Sequence, residues 1–496
     1  MVTMGTAALV TIAIAPLVAT ALSWLAGART ARTATVLAGG ASFASAVWLT
    51  AHLASGPRSV GLGSWLSAGS LSVVFCLVTT FLYAATSVYS VGYLAHRDGG
   101  SSNRFNRRFL LGLNVFCWAM DIATIVNGLA LVWVAIEITT VVSALLVALD
   151  DTDGATEASW KYLLIASMGL GLALLATVLI YAAGAVGIGH GFSIGFGPLV
   201  DAARKLPPEM VRLAFVLAVL GYGTKMGLAP VHTWLPDAHS EAPTPVSALL
   251  SGSLLAVSFY AILRFDQVAT RSLDPGFPRD VLLAFGIASL LLASLYLALQ
   301  RDLKRLLAYS SVEHMGILAI GMSFAAPVAI TGVLLQVLAH AAAKSTAFFG
   351  AGSLKEKLHT KDMTVIRGGA RLLPWSGAML LLAVLALSGL PPFGIFRSEL
   401  LIVSGGMAAS GGFVAAALVV LVTIAFFGLS WHTTRILLAP APEGSPGRGE
   451  LSGWMVVPMV AGIVALVVLG VHVPAQLMHL IDRAAHELSA SGAKRR

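Results

Sequence analysis

Long apolar runs dominate the chain, and polar residues gather in short stretches between them. Segments of at least about 18 apolar residues, the length that carries a helix across ~30 Å of hydrocarbon, lie near 2–26, 33–53, 67–95, 107–125, 127–149, 159–182, 211–235, 242–265, 280–299, 305–324, 327–350, 374–403, 411–437 and 454–475. The expected fold class is an all-α integral membrane protein of about fourteen transmembrane helices. No segment alternates apolar and polar residues with a period of two, so a transmembrane β-barrel is excluded and no strand is expected. Residues 2–26 are too long, and too poor in N-terminal positive charge, for a cleaved leader, and read as the first span.

The connections are short. The longest are the Gly-rich 183–210 and 438–453, where APAPEGSPGRGE argues against regular structure. After residue 475, Leu477, Ile481, Ala485 and Leu488 share one helical face, which predicts a short interfacial helix with a basic tail. Residues 107–265 and 280–437 are each about five helices long, and Lys225 and Glu399 stand at nearly the same offset in them beside Gly and Pro. Paired halves with interrupted helices at matching places point to inverted repeats. The expected organisation is 1–106 (helices 1–3), 107–265 (first repeat, helices 4–8), 280–437 (second repeat, helices 9–13) and 454–496 (last span and tail).

Composition agrees with the pattern. Hydrophobic residues make up 57% of the 496, and charged residues only 11%, against about 25% in a soluble domain. The net charge of +8 comes from basic residues flanking apolar segments, such as Arg104, Arg107, Arg108, Lys355, Lys357 and Lys361, and not from a stripe interleaved with aromatics. Nucleic acid is therefore not an expected partner, and the lipid bilayer is. Lys and Arg are slightly more numerous on the side of the 95–106 and 351–373 loops. That bias places both termini outside the cytoplasm; the expected location is the inner (plasma) membrane. Cys76 and Cys117 lie inside apolar runs with no CxxC spacing, and no redox centre or other cofactor is expected.

The candidate chemistry lies in the charges within the spans, each of which costs about 2.5–3.5 kcal/mol to insert and so asks for a partner, water or a function. Glu137 sits mid-helix in LVWVAIEITTVV, and Lys161 opens the next helix in EASWKYLLIAS. Lys225 is surrounded by Gly221, Gly223, Gly227 and Pro230. Pro and Gly unwind a helix there, and freed carbonyls in lipid survive only against protein or a water-filled cavity. Glu399 follows GLPPFGIFRS in the same manner. His340 and Lys344, four residues apart, share a face and suit proton exchange. Glu313 and His314 are adjacent and point about 100° apart, so they need not form one site. Asp121, Lys304 and Arg397 lie near predicted ends or breaks, where capping or snorkelling explains them. His232, Asp237 and His239, in the Pro-rich VHTWLPDAHSEAPTP, read as a loop that closes one end of an ion path. No metal site is expected there, since no HExxH or CxxC spacing accompanies them. No Walker or dinucleotide motif is present, so transport must be driven by an ion gradient or by a partner.

GYGTKMGLAPVHTWLPDAHSEAPTPVSALLSG (221–252), RDLKRLLAYSSVEHMGI (301–317), LAHAAAKSTAFFGAGSL (338–354) and GLPPFGIFRSELLI (389–402) resemble the antiporter-like membrane subunits of respiratory complex I, group 4 membrane-bound hydrogenases and Mrp antiporters. The resemblance covers about residues 70–440, and EASWKYLLIASMGLGLALLATVLIY with YSSVEHMGI looks most like the F component of hydrogenase-4. It implies two inverted five-helix half-channels. Glu137 matches the glutamate of the fifth helix, Lys161 the lysine opening the sixth, Lys225 the lysine of the broken seventh, His340 and Lys344 the polar pair of the eleventh, and Glu399 the acid of the broken twelfth. It further implies proton translocation without an active site or cofactor. The implied partners are other membrane subunits of a multisubunit oxidoreductase complex, antiporter-like and quinone- or ion-channel-type, with soluble iron–sulfur or hydrogenase-like subunits further away. Alternatives within the resemblance are an Mrp-type Na⁺/H⁺ antiporter subunit, the membrane half of an inorganic-carbon uptake pair, or an anchor whose channel has decayed. Two departures stand out: Ala256 where relatives commonly carry a basic residue on the eighth helix, and Gln336 in place of the first histidine on the eleventh. The segment after the last span is also shorter than the lateral helix of the largest family member.

Overall fold

The computed structural model describes residues 4–97, 103–189, 195–409 and 411–489. Three helices open it: α1 (Met4–Leu25), α2 (Ala28–Ser55) and α3 (Ser70–Arg97). The first half follows as α4 (Asn103–Ile125), α5 (Leu129–Val147), α6 (Asp153–Ile188), the short α7 (Phe196–Asp201), α8 (Pro208–Met226), α9 (Trp234–Glu241), α10 (Thr244–Leu249) and α11 (Leu255–Ser272). The second comprises α12 (Gly276–Leu297), α13 (Leu303–Ser323), α14 (Pro327–Leu358), the single-turn α15 (Gly369–Leu372), α16 (Pro374–Leu387), α17 (Gly394–Ala408) and α18 (Gly412–Leu438). The last span is α19 (Gly453–Val471), and α20 (Ala475–Ser489) follows it.

Among the described residues, eleven helices are long and apolar enough to cross a membrane on length and composition alone. The broken pairs α8–α9 and α16–α17, and α13 with its Lys304, Arg305 and Glu313, complete the fourteen spans. Five spans per half is an odd number, so the second half enters from the opposite face and the repeat is inverted. The two breaks share a backbone signature: Gly227 (φ +83°) precedes Pro230 by three residues, as Gly389 (φ +66°) precedes Pro392. Only glycine adopts such φ values without steric cost. At Gly389 a Cβ would also stand 2.6 Å from Oε2 of Glu399, so the break and the carboxyl are built against each other.

Several expectations need correction. Residues 59–69 form a β-hairpin, β1 (Ser59–Leu62) with β2 (Leu66–Gly69), where no strand was expected; the pairing is antiparallel, with Ser59 opposite Gly69. It lies outside the spans, where backbone groups can pair locally, and Asn127 donates its N–H to the Trp65 carbonyl (2.8 Å). The sixth span runs on to Ile188, and part of the expected 183–210 linker is α7. The Pro-rich 232–245 segment is not a loop: residues 234–241 are the helix α9, and Thr244 opens α10. Of the tail, α20 is helical as expected, while the basic 490–496 lies outside the described residues.

Burial separates the spans. The α10–α11 span is wholly inside and α14 94% so, whereas α18 is only 28% buried along its most apolar window. A π-helical turn, Leu250–Leu254, joins α10 to α11 and turns Ser251 and Ser253 inward. The molecule is thus organised around two polar-bearing central spans with lipid-facing apolar helices outside them.

Candidate functional site: a buried row of titratable side chains

Lys225 occupies the last turn of α8 and is fully buried. Its ammonium donates to the Tyr162 hydroxyl and lies 4.6 Å from that ring's centroid, a cation–π contact. Ser143 gives its proton to the Thr139 carbonyl (2.5 Å), so the 2.7 Å Tyr162–Ser143 contact has Tyr162 donating. Every hydrogen bond in this chain therefore points away from the lysine, toward α5. On α5, Glu137 is half-buried and lies within electrostatic reach of Lys225. It lines a surface groove of about 360 Å³ with Trp133, Val134 and Val141, and its Oε2 has no hydrogen-bond partner. The end of α8 is closed by Trp234, whose indole donates to the Thr224 carbonyl (2.8 Å), one of the acceptors a helix terminus leaves over.

The second half is denser. Lys344 on α14 is fully buried, donates to the Leu307 carbonyl (2.8 Å), and lies within electrostatic reach of Glu313 on α13. Glu313 in turn feels Glu399 on α17. His314 stands beside His340, ring centroids 5.2 Å apart. Gln336 joins this cluster to the break: its amide nitrogen contacts Nδ1 of His314 (3.0 Å) and its oxygen accepts from Ser398, the neighbour of Glu399. Glu399 is buried, its Oε1 has no partner, and it lines a groove of about 340 Å³ with Ser388, Gly389, Phe396 and Thr423. The row thus reaches a surface groove at each end, at Glu137 and at Glu399.

His239 lies between the halves. Expected in a closing loop, it is instead on α9 and fully buried, 6.2 Å from the Trp234 ring and 5.6 Å from Phe348. Its Nδ1 faces the Leu235 carbonyl (2.8 Å), which can only accept, so Nδ1 carries the proton and Nε2, with no protein partner, is left as an acceptor. Lys304 and Lys344 both act on it electrostatically. Where the eighth span meets α13, Ser251 of the π-helical turn bonds Ser311 of α13 (2.7 Å), and Ser253 and Ser310 have hydroxyls without partners. This is the polar content of the eighth helix where Ala256 offers none.

Other expected residues lie elsewhere. Lys161 is half-exposed at the rim, paired with Glu157 (2.5 Å) and Asp237 (3.5 Å). Asp237 also binds Arg305 (2.5 Å). His232 is buried at the α8–α9 break, 6.4 Å from the Tyr309 ring. Lys304 does cap, as expected, by donating to the Ala242 (2.6 Å) and Ser240 (3.2 Å) carbonyls at the end of α9, but it is buried and does not snorkel. Asp121 is fully buried and neither caps nor snorkels. Among the described residues no three His, Cys, Asp or Glu side chains come together as a metal site.

Sequence reasoning passed over Tyr162 and Ser398. A signal was present for the tyrosine: Ala155, Ala158, Tyr162, Ala166 and Gly169 form the first part of the buried stripe of α6, and Tyr162 is the polar member among these small residues. For Ser398 nothing local distinguishes it from any other serine near a helix start.

The family model described as NADH:quinone oxidoreductase/Mrp antiporter, transmembrane, matches residues 126–425. The chain belongs to this family. Among curated relatives, the hydrogenase-4 component F homolog of Methylacidiphilum infernorum is 35% identical over 420 residues, covering 84% of this chain and 87% of that one. NADH-quinone oxidoreductase subunit N of Desulforudis audaxviator is 32% identical over 415 residues, 79% of each chain. Among solved structures, the Mrp complex from Dietzia aligns over 98% of both chains with a TM-score of 0.87 at 19% identity. A chain of the archaeal membrane-bound sulfane sulfur reductase aligns over 99% of both at 0.85, also with 19% identity. At those identities the structural matches concern the fold. The family match spans both breaks and every charged member of the row from Glu137 to Glu399.

Proposed function

We propose that this member of the antiporter-like family carries protons along the buried row from Glu137 through Lys225, His239, Lys344 and Glu313 to Glu399, as a membrane subunit of a multisubunit oxidoreductase complex. The observation that supports it most is the set of polar atoms left without protein partners along that row: Oε2 of Glu137, Nε2 of His239, Ser253, Ser310, Nε2 of His340 and Oε1 of Glu399. A buried polar atom left unpaired costs about 1–3 kcal/mol, a cost that water removes and dry packing does not. A solvated file of this kind lets each titratable group hand its proton to the next.

The chemistry of the row favours a proton over sodium. Lys225 and Lys344 present N–H donors or positive charge, which repel a metal cation, and lysine and imidazole both exchange protons readily. Lys161, Asp237 and Arg305 form a charged rim over one end of α9, and His232 stands at the break beneath it; we assign these to access and closure, with Glu137 and Glu399 at the lateral ends. The subunit has no redox chemistry in this reading, so the driving force comes from partner subunits in the inner membrane, with both termini outside the cytoplasm.

The test uses inverted membrane vesicles holding the assembled complex, with an entrapped pH dye. Glu399→Ala should slow proton uptake about a hundredfold, since removing a stabilising site for a charge in the bilayer raises the barrier by about 2.5–3.5 kcal/mol and each 1.36 kcal/mol is a factor of ten. Uptake at the wild-type rate by an assembled variant would refute the proposal, and uptake that depends on sodium would favour the Na⁺/H⁺ antiporter alternative.

A further inference from the structure

A second buried polar system lies outside the row, where α3, α4 and α11 pack against one another. Each contributes one face at helical spacing: Ser72, Cys76, Thr79 and Tyr83 from α3; Asn114, Cys117, Asp121 and Thr124 from α4; Tyr260, Arg264 and Gln267 from α11. All are buried. Asp121 is at its centre, within electrostatic reach of Cys76, Cys117 and Tyr83. Thr79 stands beside its carboxyl but donates to the Cys76 carbonyl (3.2 Å), and neither carboxyl oxygen accepts a hydrogen bond from the described residues. No described cation pairs with it. A carboxylate so placed cannot hold its charge without water or a cation beside it.

From Asp121 the system continues to the face of the membrane on which α1 begins and α19 ends. Thr124 donates to the Asp121 carbonyl (2.7 Å), and Tyr260 reaches the Thr124 carbonyl (3.4 Å) and the Ser72 hydroxyl (3.0 Å). Arg264 donates to Ser72 (2.9 Å) and Gln267 (3.0 Å), leaving its Nε–H without a partner, and its guanidinium lies over the rings of Phe196 (4.4 Å) and Tyr260 (5.0 Å). Glu487 on the interfacial helix α20 lies within electrostatic reach of Arg264, Arg483 and Arg58, beside Ser70. Arg483 straps α20 to the end of α2 through the Leu53 and Pro57 carbonyls.

We propose that Asp121, Tyr260 and the Arg264–Glu487 pair form a gated proton outlet toward the face that carries both termini. It rests on the proton-carrying reading above and supplies what the lateral row lacks, a path perpendicular to it. Asp121 is the proton-holding group. Arg264 is the gate: balanced by Glu487 it leaves the path electrically neutral, whereas alone it sets a positive barrier that a proton does not cross. Since Glu487 is carried by α20, a displacement of that helix opens or shuts the branch.

The test is proton uptake by the assembled complex in vesicles, with Lys225→Ala run alongside. Asp121→Asn and Glu487→Gln should each lower uptake about tenfold or more at unchanged assembly, while Asp121→Glu restores most of it. Normal uptake in Asp121→Asn with Lys225→Ala inactive overturns the outlet and leaves the row standing; normal uptake in Lys225→Ala overturns the row itself. Should Asp121→Asn fail to assemble, Ser72→Cys in a chain with Cys76→Ala and Cys117→Ala decides. A small water-soluble thiol reagent applied from the face carrying the termini should modify it, and an unmodified cysteine means the branch is dry and the proposal wrong.

Discussion

The two broken helices have matching backbones and opposite charges. In the first half the charge precedes the break, Lys225 in the last turn of α8; in the second it follows, Glu399 in the second turn of α17. A helix C-terminus carries partial negative charge and an N-terminus partial positive charge. Each half-helix thus holds at its broken end the sign its dipole favours, so one backbone device yields a cation site in one half and an anion site in the other. The halves also differ in density. Lys225 has one hydrogen-bond partner, Tyr162, and feels Glu137 only electrostatically, whereas the second half links Glu313, His314, Gln336, His340, Lys344, Ser398 and Glu399 within three helices. The sparse half relies on water for continuity and the dense half on side chains.

The sharpest way to break this comparison is Lys225→Arg. Arginine keeps the charge but does not release its proton near neutral pH. If Lys225 were half of a dry structural pair, Arg would serve; as a carrier, its replacement should slow uptake in the vesicle assay about a hundredfold. Next in size is Gln336→Leu, which leaves Nδ1 of His314 without its partner at about 1–3 kcal/mol, while Ser398 keeps the Ile395 carbonyl (2.8 Å); it should reduce uptake more than tenfold and lower the thermal stability of the purified complex. Tyr162→Phe removes the one hydrogen bond to Lys225, worth about 1.5 kcal/mol; uptake should fall about tenfold, through the first half alone. Lys161→Ala, at the exposed rim, should change uptake by less than about twofold, because exposed ion pairs contribute little and Arg305 still holds Asp237 over the end of α9. A larger effect from Lys161→Ala than from Tyr162→Phe would invert the distinction drawn here between rim and interior.

Most of the fold was legible because length and apolarity alone determine a span; the fourteen segments and the two Gly/Pro breaks stand where the sequence puts them. The charges of the row were legible for a similar reason, since a charge in lipid is costly and therefore conspicuous. The α9 helix was not. His232–Glu241 is polar and Pro-rich, and only burial against α13 and α6 makes a helix of it. With that helix went His239, read as part of a closing loop and found between the halves. Asp121 was misjudged for its position four residues from the end of α4, where an exposed side chain would be unremarkable; the β-hairpin and the loop at 126–128 lie over that end, and no local pattern announces them. Tyr162 and Gln336 are neutral, so their part in a charged row depends on which neighbours the fold supplies.

The account depends on the stretch between Lys225 and Lys344 being wet, since among the described residues neither lysine hydrogen-bonds to His239, the titratable side chain between the halves. A high-resolution map of the assembled complex in lipid tests this directly. It should contain ordered waters running from Lys225 past Nε2 of His239 and the Ser251–Ser311 pair to Lys344. Apolar side chains closing that stretch without a single water would contradict it.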